Sequence, residues 1–159
     1  LINFNRNIGF IDRFVPTDAS QRDPGAALDS YNDFAEVVNK FPDSDYALDA
    51  AQRMLYLRNN LAWHEVNVAR YYMRRGAFLA AANRAEYVIQ NYQRTPAVRD
   101  ALEVMIAAYG KLGMTELEDD ARRVLALNEN NGSLIADPRK TATKSWGRQL
   151  WEYFELDQN

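Results

Sequence analysis

Arg70, Arg74 and Arg75, interleaved with Tyr71 and Tyr72, form the most basic stretch of the chain. Arginine forks beside tyrosine rings can hold phosphates and stack on bases, or they can receive carboxylates from a protein partner. Arg70 and Arg74 stand four residues apart, so a helix places them on one face. The net charge of −3 and pI near 5.2 give no broad attraction to nucleic acid or anionic membrane, so an acidic protein partner is the better reading. A solvated helix face is the bland alternative. Arg84 is set differently, in the run Ala80-Ala81-Ala82-Asn83-Arg84-Ala85. A long guanidinium on a floor of alanine has room to take a carboxylate through two parallel N–H groups. An ordinary surface arginine would carry the same sequence.

Other chemistry finds little footing. His64 is the single histidine, and no G-x-S-x-G turn or second base accompanies it. The acidic cluster Glu116, Glu118, Asp119 and Asp120 falls in the first turn of a helical pattern, where the helix dipole favours negative charge. Asp43 and Asp45 flank Ser44 at another helix start. No carboxylate spacing matches a calcium loop or a metalloprotease helix. The chain has no cysteine, so disulfides, thiolate metal sites and cysteine nucleophiles are excluded. No catalytic, cofactor or metal set is expected. A small all-α enzyme stays as the rival reading, and it would need a polar pocket with a shifted pair of titrating groups.

The elements that position these residues are helices. Val68 to Gly76 overlays Met105 to Gly113 at an offset of 37, each ending in a Tyr four residues before a Gly. A helix–turn–helix unit at this period is the mark of a tetratricopeptide-like solenoid, an all-α superhelix of antiparallel helix pairs. Such repeats bury their apolar faces by stacking and present long surfaces to other proteins. Asp23-Pro24 starts a first helix with the stripe Leu28, Tyr31, Phe34, Val37, Val38 and Phe41, ended by Pro42. Ser44 is expected to cap a long pattern that runs to Gly76 and either bends near Asn59-Asn60 or extends beyond one repeat. Ala77 to Tyr92 is its partner, and it overlays the first helix at an offset of 51. Thr95-Pro96 repeats the cap-plus-proline start for a helix to Lys111. Thr115-x-x-Glu118 reads as a capping box for the next helix. No sustained alternation of period two appears, so no strand is expected.

Repeats are expected over residues 1–131, with a tail over 132–159. The tail carries Trp146, Leu150, Trp151, Tyr153 and Phe154. These either cover the end of the solenoid, or dock on a partner or the membrane interface, or stay disordered. No run of about 18 apolar residues exists. The opening Leu1-Ile2-Asn3-Phe4 reads like the middle of a folded element, as in a piece of a longer precursor.

Several segments together resemble the BamD family, outer-membrane lipoproteins of the β-barrel assembly machinery in Gram-negative bacteria. They are Arg22-Asp23-Pro24, Phe34 to Ser44, Ala69 to Phe78, and Asn83-Arg84-Ala85-Glu86 followed by Tyr92. The resemblance covers about residues 1–130 and implies the third repeat in part, then the fourth and fifth. It implies a non-catalytic scaffold on the periplasmic side of the outer membrane, lipid-anchored in its full length. The implied partners are the POTRA domains of a BamA-like barrel subunit and accessory lipoproteins. Arg84, beside Asn83, falls on the motif where the family meets BamA. Where the family closes a helix with Tyr-Pro, this chain has Tyr92-Gln93-Arg94-Thr95-Pro96. An adaptor of another envelope pathway, such as cell-wall synthesis, is the second reading. The candidate partner-binding residues are Arg84, Asn83, Arg70, Arg74, Trp146 and Trp151.

Overall fold

A computed structural model describes residues 24–137. They form five helices: α1 (Pro24–Lys40), α2 (Ala47–Arg74), α3 (Phe78–Asn91), α4 (Ala97–Leu112) and α5 (Thr115–Asn130). Each helix packs on the next, and α2 also packs on α4. The contact of α2 with α4 is what stacking of successive hairpins produces, so the architecture is the expected tetratricopeptide-like one. Among the described residues there is no strand. The Asp23 cap, the segment before it and the Trp146–Trp151 tail lie outside the described residues.

The length of α2 has a direct explanation. Its first half contributes Ala50 and Leu57 to a small core with Phe34. Its second half contributes Ala62, Trp63, Val66 and Ala69 to the main core. One uninterrupted helix therefore serves as the second helix of one hairpin and the first of the next. Of the two expectations for this pattern, extension beyond one repeat is the outcome.

The main core is built from small residues. Ala62, Ala69, Ala81, Ala82, Ala85, Ala97, Ala101 and Ala108 are all fully buried, with Val66 and Val88 between them. Tyr109 is buried in this cluster, and Tyr72 packs against it partly buried. The two tyrosines thus hold matching places, as the offset of 37 predicts. The first-helix stripe is covered only in part, because Phe34 is buried while Leu28 and Phe41 are exposed. On α5, Ala121 is buried but Leu117, Val124 and Leu127 are exposed. No later helix covers α5 among the described residues.

The turns repeat as closely as the helices. Ala77 N–H donates to the Tyr72 carbonyl and Gly76 N–H to the Met73 carbonyl. Met114 and Gly113 make the same bonds to Tyr109 and Gly110. This paired closure needs a left-handed residue, and glycine supplies it at φ 74° and 71°. Ser133 and Gly132 close α5 in the same way on Asn128 and Glu129, with Gly132 at φ 63°.

The expected side-chain caps are not formed. The Ser44 hydroxyl donates back to the Phe41 carbonyl at 2.9 Å, and α2 begins three residues later. Thr95 likewise donates back to the Tyr92 carbonyl at 2.7 Å. Both hydroxyls satisfy the end of the preceding helix instead of the start of the next. Thr115 is already the first residue of α5, and Met114 precedes it with no side-chain cap. Glu118 pairs with Arg122 instead. Arg94 takes φ 60° in the α3–α4 turn, where the chain departs from the Tyr-Pro pattern.

A pair of alanine substitutions separates conformation from packing. At Gly113 an added Cβ meets nothing within 4 Å, so Gly113→Ala is opposed only by its left-handed backbone. That strain costs roughly 1–2 kcal/mol. Gly110 is helical, and a Cβ there meets the flexible end of Glu118 at 3.0 Å. Gly110→Ala is expected to be neutral or stabilising by up to about 1 kcal/mol. Urea unfolding of both variants checks the opposite signs.

Candidate docking surface

The buried residues of α3 recur as Ala81, Ala82, Ala85 and Val88, which fixes one face of the helix against α2 and α4. The opposite face is left to solvent. Leu79, Asn83 and Tyr87 stand at spacings of four along it and are all exposed. Arg84 lies at the flank of this face beside α2. Its Nη1 donates to Glu65 Oε2 at 3.0 Å, with the arginine side chain 47% exposed and the glutamate 16%.

Tyr87 and Tyr92 extend the same region, with ring centroids 6.0 Å apart in an edge-on arrangement. Burial pushes the Tyr92 phenol above its ordinary range. The charges of Tyr87 and Glu65 and a hydrogen bond with Tyr87 add to the rise, and Arg58 opposes it. Arg58 also ties α2 to the α3–α4 turn, donating to the Gln93 carbonyl at 2.9 Å. The patch thus combines one arginine, exposed tyrosine and leucine, and an amide on a rigid base. Tyrosine and arginine are the residue types that dominate energetic centres of protein interfaces.

The second cationic surface is a groove of about 560 Å³ lined by His64, Asn67, Val68, Arg70, Tyr71, Tyr72 and Arg74. The helix face brings Arg70 and Arg74 together here, as expected. Arg70, however, already has a carboxylate: its Nη2 meets Asp100 Oδ2 at 2.5 Å, across the α2–α4 contact. The Asp100 side chain is 3% exposed and that of Arg70 41%. Arg74 is exposed and forms no ion pair among the described residues. Arg75 belongs to neither surface; it lies over the Tyr71 ring at 5.5 Å. Among the described residues there is no cluster that could hold a metal ion, and no helix is long and apolar enough to cross a membrane. Asn83 is placed beside Arg84, whereas Trp146 and Trp151 lie outside the described residues.

A family model described as outer membrane lipoprotein, YfiO, matches residues 2–125. The chain belongs to this family. It is 41% identical over 154 residues to the outer membrane protein assembly factor BamD of Neisseria meningitidis serogroup B, covering 97% of this chain and 56% of the relative. It is 42% identical over 128 residues to the BamD of Xylella fastidiosa Temecula1, covering 80% and 44%. It is 33% identical over 128 residues to the BamD of Vibrio cholerae, covering 80% and 53%. The chain spans about half the length of these relatives.

Four functional candidates escaped the sequence reading: Glu65, Leu79, Tyr87 and Asp100. Leu79 and Tyr87 were legible as one face with Asn83, once α3 is drawn as a helix. Glu65 and Asp100 had no local signal, since their arginines lie 19 and 30 residues away.

The two groove arginines should therefore separate by stability. Arg70→Ala removes one charged partner from the buried Asp100 and is expected to cost about 1–3 kcal/mol. Arg74→Ala should stay within about 0.5 kcal/mol of the parent. Thermal or urea unfolding of the two variants measures the difference.

Proposed function

We propose that this chain is the docking part of a non-catalytic scaffold in outer-membrane protein assembly. It receives the POTRA domains of a BamA-like barrel protein, and accessory lipoproteins, on the periplasmic side of the outer membrane. The full-length protein carries the lipid anchor. Membership of an outer membrane lipoprotein family and relatives named as assembly factors support the pathway. The observation that carries the surface is Arg84, half exposed on the alanine-floored α3 and flanked by exposed Asn83, Tyr87 and Leu79. A rigid base lowers the ordering cost of docking, and the guanidinium supplies a directional contact to a partner carboxylate. Arg74, with Arg70 partly engaged, offers a further cationic contact to an acidic segment of the partner.

Truncating one side of a desolvated charge pair costs roughly 2–5 kcal/mol of binding. Arg84→Ala is therefore expected to weaken binding to isolated POTRA domains at least about tenfold, since about 1.4 kcal/mol is a factor of ten. Arg84→Glu should weaken it further, because the new carboxylate also faces Glu65. Reversing the charge of the acidic partner residue should recover part of the affinity lost in Arg84→Glu. Helical content should be unchanged in both variants. Calorimetric titration decides it: wild-type affinity in Arg84→Ala would remove Arg84 from the docking surface.

A further inference from the structure

Glu65 and Arg84 are unequal partners. The glutamate is recessed at 16% exposure, while the arginine protrudes at 47%. The Lys40–Glu36 pair differs, with both side chains more than half in solvent, whereas Arg122–Glu118 within α5 shares the asymmetry at 58% and 21%. Glu65 engages Arg84 through Nη1. Arginine carries five N–H donors in a rigid fork, so one such contact leaves most of the fork for a second carboxylate.

We propose that Glu65 is a positioning residue of the docking surface: it pins the Arg84 guanidinium in the orientation that a partner carboxylate then shares. This rests on the docking role of Arg84 proposed above. The partner completes a carboxylate–guanidinium–carboxylate bridge and does not displace Glu65. Displacement would strand a largely buried anion without its cation, which is strongly unfavourable. Sharing meets no such penalty. A guanidinium already held in place also loses less side-chain freedom on docking. The opposing effect is the negative charge of Glu65 itself, which repels the incoming carboxylate. Position and charge therefore act with opposite signs, and two substitutions divide them. Glu65→Gln keeps an acceptor oxygen for Nη1 and removes the charge. Glu65→Ala removes both.

The test is a double-mutant cycle on the full chain titrated against isolated POTRA domains, with melting curves to confirm folding. Glu65→Ala is expected to weaken binding about threefold to tenfold, the loss of one pre-ordered long side chain. Glu65→Gln is expected to bind as tightly as the parent or tighter. In an Arg84→Ala background Glu65→Ala should no longer weaken binding, because positioning acts only through Arg84; any change left in either variant is a gain in affinity, from relief of the repulsion. If Arg84→Ala weakens binding while Glu65→Ala matches or exceeds the parent, Glu65 is only a competing charge and the inference fails alone. If Glu65→Ala weakens binding equally in the Arg84→Ala background, its role is structural and the inference again fails. Should Arg84→Ala itself bind as the parent does, the docking reading falls and this inference with it. Glu65→Gln keeps the shape of the side chain, so weakening by that variant also overturns the proposal even if Glu65→Ala folds poorly.

Discussion

Alanine sets the distance between α2, α3 and α4. Where these three helices meet, eight alanines are fully buried, and the larger residues Trp63, Val66 and Val88 fill the spaces between them. A methyl group brings helix backbones close without rotamer loss, but it gives little apolar area per residue. Close approach has to supply the remainder through dense contact along the whole helix. Such a core tolerates no larger side chain at these positions without overpacking. It also leaves the helix rims short of cover. Long polar side chains fill that role: Arg84 joins α3 to α2, Arg70 joins α2 to α4, and Arg99 joins α4 to Glu129 of α5.

The turns impose the second constraint. Each hairpin reverses over a few residues, and the reversal must satisfy the carbonyls at the end of one helix before the next begins. Glycine in the left-handed region does this at Gly76, Gly113 and Gly132. These bonds serve the end of the preceding helix, and the entry to the following helix carries no side-chain cap. Ala77 and Met114 stand at those entries, and neither offers a capping side chain. Ser44 and Thr95 likewise serve the preceding helix. Their hydroxyls turn back to the carbonyls of Phe41 and Tyr92 at its end, and the Phe41 carbonyl accepts the Ser44 N–H as well.

This is why some features were legible in the sequence and others were not. The glycine turns and the paired Tyr72 and Tyr109 were readable because local bonds fix them and a repeat makes them visible twice. The helices were readable from their apolar stripes. The capping roles of Ser44, Thr95 and Thr115 were misread, since a hydroxyl between two helices can serve either one and spacing does not say which. Leu28, Phe41 and Val124 look like core residues on a helical wheel, yet their exposure depends on neighbours outside their own helix. At the candidate site, Arg84 and Asn83 stood out from their alanine setting. Glu65 and Asp100 did not, because only the stacked fold brings them to their arginines.

Those two acids decide what each arginine has left to offer. Asp100 is almost wholly enclosed, so Arg70 is held by the fold, and a substitution there acts first on the α2–α4 contact. Arg74, four residues on and lining the same groove, has no such anion among the described residues. Arg84 lies between these extremes. Its carboxylate is recessed enough to fix it and open enough to leave its outer side accessible. A repeat scaffold of this kind therefore grades its surface cations by the depth of the anion beneath them. An enclosed anion makes its arginine a structural lock, and in the proposed docking role an arginine with no such anion among the described residues contributes through long-range attraction. An intermediate depth gives a fixed, directional contact, which is the kind that can distinguish one protein partner from another.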